Sequence, residues 1–291
     1  MTGPKPRLSA TILNGLGTCA MTVYWSYVKG IKRPPGVAAT VGKSVHGSAE
    51  DDLRNVIENE TLLDDADVQD NAAFHFEYQW DQGVELNEDE ESEGKDKVKG
   101  EAKDKAIRLS TLHHAEVAPE IKPTHVEERF DVVVKGCSHD LSGYVDVIEG
   151  GEKLVVRDTK TTSRKPEVDA AHKSLQLQLY ALACEVGALG VSSGKPVGKR
   201  KPAALYLDFL VGLKKSENRV SLATAPPAVY TPLLLRIQKA AEIMDKGTFY
   251  PVEPGHWKCC AKWCGYWQDI CPHGRRAQTI VPVTAVFAPP E

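Results

Sequence analysis

The spacing of apolar and polar positions changes along this chain, and each period assigns an element. Residues 9–27 predict a helix, with Ser9 as its N-cap. Pro34-Pro35-Gly36 breaks the chain, and residues 41–59 predict a second helix. Residues 126–135, 141–149 and 153–160 are rich in Val and Ile and predict three strands. Gly150-Gly151 predicts a tight hairpin between the last two. Residues 167–186 predict an amphipathic helix with Leu175, Leu179, Leu182 and Val186 toward the core. A further strand is expected over residues 203–213. A helix over 232–246 leads into a cysteine-rich run, and the Pro-rich tail 275–291 is expected to be extended. Strands bracketed by helices give an α/β class.

Two acids and a lysine sit on the predicted hairpin: Asp146 in Gly143-Tyr144-Val145-Asp146, then Asp158 and Lys160 in Asp158-Thr159-Lys160. Strand side chains alternate, so Lys160 shares a face with Asp158. Whether Asp146 joins them depends on loop parity. A two-residue turn pairs Asp146 with Val155 and sends Asp158 to the wrong side. A three-residue loop over 150–152 pairs Asp146 with Val156 and makes Asp158 a same-face diagonal neighbour. A shared site therefore requires an odd loop or a bulge. Converging carboxylates hold hard cations such as Mg²⁺ or Mn²⁺, which polarise a phosphodiester and activate water. Taken singly, each acid reads as a solvated strand residue. Gln176 and Tyr180 lie one helical turn apart on the following helix, either as part of the site or as a half-buried face with polar tips. Glu127 or Glu128, on the preceding strand, would add a contact behind the ligands or be plain surface acids.

Seven cysteines are present: Cys19, Cys137, Cys184, Cys259, Cys260, Cys264 and Cys271. The N-terminus has no signal-peptide pattern, so clustered thiols favour a metal over disulfides. A soft metal takes four thiolates. Three come from the C-terminal run, most simply Cys259, Cys264 and Cys271, with Cys260 competing with Cys259. Cys137 and Cys184 read as small buried hydrophobes. One decoy is set aside. Gly36 and Gly42-Lys43-Ser44 suggest a phosphate-binding loop, but five residues separate the glycines where four are needed, and no buried strand precedes them.

These motifs together resemble the RecB-like branch of the PD-(D/E)xK nuclease superfamily, close to its phage exonucleases and CRISPR-associated nucleases. The resemblance runs from about Ser9 to Cys271, interrupted by an acidic insertion. It implies a restriction-endonuclease-like core, a central mixed β-sheet flanked by helices. It implies that Asp146 and Asp158 are metal ligands, that Lys160 is the catalytic lysine, and that Gln176 and Tyr180 are the accessory motif. Gly42-Lys43-Ser44-Val45-His46 resembles the upstream glycine–histidine motif, with His46 as a further ligand beside the carbonyl of Thr159. Asp158 stands where many relatives carry glutamate. Cys19 resembles the N-terminal cysteine of relatives that bind a [4Fe-4S] cluster with Cys259, Cys264 and Cys271, a staple joining the chain ends. Zinc is the alternative occupant, because the spacing is looser than in some of those relatives.

Composition bounds this reading. The 291 residues suit a single nuclease domain, and the 42% apolar content is ordinary. No apolar run is long enough to span a membrane, so a cytoplasmic setting is expected. The net charge of −4 argues mildly against bulk nucleic-acid affinity. The charge is uneven: residues 85–105 carry nine acids and five lysines and are expected as a solvated acidic insertion, whether a loop, a charged helix or a disordered segment. Residues 195–201 and Lys214-Lys215 are basic and could meet phosphates. The expected function is a divalent-metal-dependent DNA exonuclease in DNA processing or recombination. Its partner would be DNA with a free end, with a recombinase, helicase or single-strand-binding protein as a further one. The alternative is a non-catalytic, metal-stapled DNA-binding or assembly subunit of the same fold.

Overall fold

The computed structural model describes residues 6–191, 193–224, 230–253 and 255–274. The expected tail lies outside them. Helix α1 (Ala10–Thr18) follows the short strand β1 (Arg7–Leu8), and Ser9 Oγ caps it by accepting from the Ile12 N–H. The helix expected over 9–27 is interrupted at Cys19, whose backbone is extended at φ −142° and ψ 100°. Thr22 Oγ1 donates to the freed Cys19 carbonyl, and the chain continues as α2 (Ala20–Val23) and one π turn over Tyr24–Val28. Helix α3 (Val37–Asn59) starts directly after Pro34-Pro35-Gly36.

Three helices follow, the first of them unanticipated by the periodicity reading. Helix α4 (Asp65–Asp81) buries Val68, Ala72, Phe76 and Trp80, four residues apart. The charged run is helical: α5 (Glu88–Glu93) opens with a capping box of Asn87 and Glu90, and α6 (Lys95–Glu116) follows. The run was expected to be solvated, but Val98, Ala102 and Ala106 turn one stripe of α6 into the core against α3 and α4. The acids occupy the outer side.

The sheet has six strands. Besides β1 they are β2 (Pro123–Val132), β3 (Asp140–Glu149), β4 (Val155–Thr162), β5 (Ala204–Val211) and β6 (Glu217–Ala223). It is mixed. β2, β3 and β4 run antiparallel in turn, β5 is parallel to β4, and β6 returns antiparallel. Between β4 and β5 the chain forms α7 (Ala170–Lys173) and α8 (Leu175–Val186), and α9 (Tyr230–Lys246) follows β6. The helix expected over 167–186 is split at Ser174, whose side chain accepts from the Leu177 N–H and starts α8 afresh.

Apolar side chains gather on both faces of the sheet. On one, α1, α8 and α9 pack over Phe130, Val145, Ile148, Val156 and Leu207. On the other, α3, α4 and α6 pack over Val126, Val147 and Leu210. α8 is wedged between sheet, α1 and α9, so it is buried nearly all round and not on one stripe. Val186, expected toward the core, is instead exposed at the helix end. Among the described residues no helix is long and apolar enough to cross a membrane.

Candidate active site

β3 and β4 pair at Glu149↔Val155, Ile148↔Val156 and Val147↔Arg157, and then the ladder stops. The loop, residues 150–154, is odd in length as a shared site requires, but it has five residues where three were expected. Continuing the register sets Asp146 directly across from Asp158, not diagonal to it. Arg200 fixes the loop by donating to the carbonyls of Gly151 and Glu152 at 2.7 and 2.8 Å. Where the next ladder bond would fall, the Thr159 N–H donates to Asp146 Oδ2 at 3.2 Å. The strands part at this level, and the carboxylates fill the opening.

Four other groups close on the two acids. His46, on α3, places Nδ1 3.3 Å from Asp146 Oδ2. Lys160 Nζ lies 2.7 Å from Asp158 Oδ2, with Asp158 fully buried and Lys160 about one-third exposed. The Tyr180 hydroxyl, on α8, lies 3.4 Å from Asp146 Oδ1 and 3.5 Å from Asp158 Oδ1. Gln176 donates from Nε2 to that hydroxyl. Gln176 and Tyr180 thus abut the carboxylates.

Burial and mutual repulsion separate the titrations. Burial, then the charge of Asp146, pushes Asp158 up to about 7 against the pull of Lys160. Burial would raise Asp146 too, but the hydrogen bond and charge of His46, with Lys160 and the Thr159 N–H, hold it below the usual carboxylate range. Burial pulls the His46 imidazole down, and Asp146 more than reverses this, so its pKa is raised. Burial and both acids raise Tyr180 well above its ordinary value, which keeps it a proton donor.

The site opens on a cleft of about 750 Å³ lined by Lys43, His46, Glu50, Gln79, Glu127 and Lys160. Two glycines of α3 shape it. A Cβ on Gly42 would meet Thr161 Oγ1 at 3.1 Å, and one on Gly47 would meet the His75 ring at 2.6 Å. Gly42-Lys43-Ser44 lies inside α3, so it forms no strand-to-helix phosphate loop. Glu127 faces the cleft; Glu128 is buried, with Oε1 unpartnered. Burial, then Asp146 and Glu50, pushes Glu127 up to about 7. The spacing His46 to Glu50, one helical turn, was legible as a second acid on that face. His75 and Gln79 were missed along with α4.

One ligand atom each from His46, Glu127 and Asp146 lies within 4.8 Å of the others, a set that could hold a cation. Asp158 is not in that set and is engaged by Lys160. Thr159 is buried beside both acids.

The cysteines separate into groups. Cys19, Cys259, Cys264 and Cys271 line one cavity of about 150 Å³ at the junction of the α1–α2 break and the C-terminal run. Cys260 is outside it and donates toward the Trp257 carbonyl at 3.2 Å. Burial first, then the neighbouring thiols, raises the pKa values of Cys259 and Cys264. No disulfide joins any of the seven cysteines. Cys184 is buried on α8, its thiol pushed up to about 12 by burial, and Cys137 packs at the edge of the same core.

The profile of the PD-(D/E)XK nuclease superfamily matches residues 7–272. No curated protein matches the sequence. Among solved structures, a candidate exonuclease from Eubacterium rectale superposes with a TM-score of 0.54 at 11% identity, over 97% of this chain and 93% of that one. That likeness is one of fold. The structure of SSO0001 matches at a TM-score of 0.34 and 15% identity, over 90% of this chain and 94% of that one.

Proposed function

The chain belongs to the PD-(D/E)XK nuclease superfamily, and from that premise we propose that it is a divalent-metal-dependent exonuclease that hydrolyses phosphodiester bonds in DNA. The observation that carries this reading is the meeting of Asp146 and Asp158 where β3 and β4 part, with His46 on one acid and Lys160 on the other. A scaffold has no use for two buried acids so placed, since each loses hydration and repels the other.

Asp146, Asp158, the Thr159 carbonyl and His46 are the groups that would hold Mg²⁺ or Mn²⁺; oxygen ligands suit both, and imidazole also suits the latter. The bound ion would supply Lewis acidity at the scissile phosphate and a lowered pKa for water. Lys160 orients that water or stabilises charge developing on the phosphate oxygens. Tyr180 stays protonated and steadies both carboxylates, and Gln176 fixes its hydroxyl. The open cleft beside Lys160 and Lys43 is the place for the phosphate backbone.

The RecB-like assignment and the cysteine staple belong to the same reading. Four thiols from the two ends of the chain around one cavity support a metal group there. Thiolates suit both zinc and iron–sulfur clusters, and the [4Fe-4S] cluster is the preferred occupant because the cysteine pattern resembles that of cluster-bearing relatives. The test of function is end-labelled DNA incubated with the purified chain and Mn²⁺ or Mg²⁺. Cleavage that EDTA abolishes is expected; cleavage of RNA alone would redirect the substrate.

A further inference from the structure

We propose that Glu127 is a direct ligand of the active-site cation, acting with His46 and Asp146. The inference rests on the metal-dependent reading above and adds a residue that the acid–acid–lysine pattern does not contain.

The backbone register places Glu127 opposite Asp146. Val126↔Val147 and Glu128↔Val145 pair on either side of them. At this level β2 changes face. Val126 packs into the core under α3 and α6, while Phe130, an even number of residues away, packs under α8. The turn is made at Glu127, whose φ is 51°. The other non-glycine residue with positive φ among the described residues, Glu60, caps the end of α3, where such a conformation is common. Inside a strand it is a strained conformation whose cost glycine would avoid.

The backbone therefore favours glycine, yet the position carries a carboxylate. Burial and two like charges outweigh what the charges of His46 and Arg54 do for that carboxylate. Among the described residues no hydrogen bond reaches it, and Asp146 and Glu50 are like charges beside it. The nearby cation Arg54 is committed to Glu50 at 2.7 Å and to the Val126 carbonyl at 3.3 Å. A left-handed backbone, partial burial and two neighbouring acids all oppose this side chain. A divalent cation held with His46 and Asp146 offsets the last two. Its ligand atom already lies within 4.8 Å of theirs.

The test is Mn²⁺ binding to the full chain, followed by calorimetry and by the electron spin signal of free Mn²⁺, without substrate. Glu127→Gln should weaken binding on the order of tenfold or more. Glu50→Gln removes the same charge from the same cleft and should weaken it far less. Asp146→Ala should abolish it. Glu127→Gly suits the backbone; it should melt no lower than the parent and lose the same affinity, so it decides the matter if the glutamine variant folds poorly. Wild-type affinity in Glu127→Gln, with binding lost in Asp146→Ala, overturns this inference and leaves the metal site standing. Equal losses in Glu127→Gln and Glu50→Gln reduce Glu127 to a field effect and also overturn it. No Mn²⁺ binding by the parent chain overturns this inference and the metal-dependent function together.

Discussion

Two buried carboxylates across one strand pair cannot both ionise freely, and the residues around them decide which does. His46 and the Thr159 N–H favour charge on Asp146, while burial pushes Asp158 up to about 7. Tyr180 touches both acids through one hydroxyl, and its ring packs edge-on against Phe130 at 6.1 Å. Tyr180→Phe should therefore keep the fold, costing no more than about 1.5 kcal/mol in denaturant unfolding. It should slow cleavage about ten- to a hundredfold, read from initial rates on end-labelled DNA. Rates equal to the parent's would make Tyr180 a packing residue only. At this scale the sequence was informative where chemistry depends on residue type and spacing: the two acids, the lysine, and Gln176 four residues before Tyr180. The position of Glu127 was not legible, because it depends on one backbone torsion that no side-chain pattern reports.

Helix α3 carries His46 to the sheet, and its seating depends on glycine. The His75 ring rests where a Gly47 side chain would be, and His75 is itself held by Asp51 at 2.7 Å. Gly47→Ala gains helix propensity of about 1 kcal/mol but forces α4 away. The net change should be a loss of roughly 1–2 kcal/mol, with a wider cleft and weaker cleavage. Thermal melting and initial rates on one preparation check it, and a more stable, fully active variant would show that α4 gives way freely. Strands β2 to β5 were legible from their Val and Ile content. Helix α4 carried the signal in Val68, Ala72, Phe76 and Trp80, but its polar majority masked it. The splits at Cys19 and Ser174 were not legible as breaks: the residues on either side continue a helical pattern, and tertiary packing overrides local preference. In the charged run, acid density hid the stripe of Val98, Ala102 and Ala106.

At the scale of the whole molecule, the first and last described segments meet. Cys19 follows α1, and Cys259, Cys264 and Cys271 come from the last described segment, yet all four line one cavity. Tyr266 donates to the Ile31 carbonyl at 2.8 Å and Arg33 meets Asp269 at 2.5 Å, so the two ends also touch outside the thiols. Closing so long a loop restricts the unfolded chain most, so a metal group here should act mainly on stability. Cys264→Ser should lower the melting temperature and the iron or zinc content, while any folded fraction keeps some Mn²⁺-dependent cleavage. Cys260→Ser should do neither, because its sulfur is turned to the Trp257 carbonyl. Spacing alone could not separate Cys259 from Cys260, since neighbours in sequence differ only in which way the turn points them. Metal analysis and melting of both variants decide it; a Cys264→Ser protein with full metal and normal melting would remove Cys264 from the site.

If Asp146 and Asp158 together hold the catalytic cation, removing the second acid alone should end cleavage. The rate of Mn²⁺-dependent cleavage of end-labelled linear DNA is measured for the parent chain and for Asp158→Ala, at matched folded concentration. The expected result is cleavage by the parent, none with EDTA, and a loss of at least about a thousandfold in Asp158→Ala with the fold retained. Cleavage by Asp158→Ala at the parental rate would contradict it.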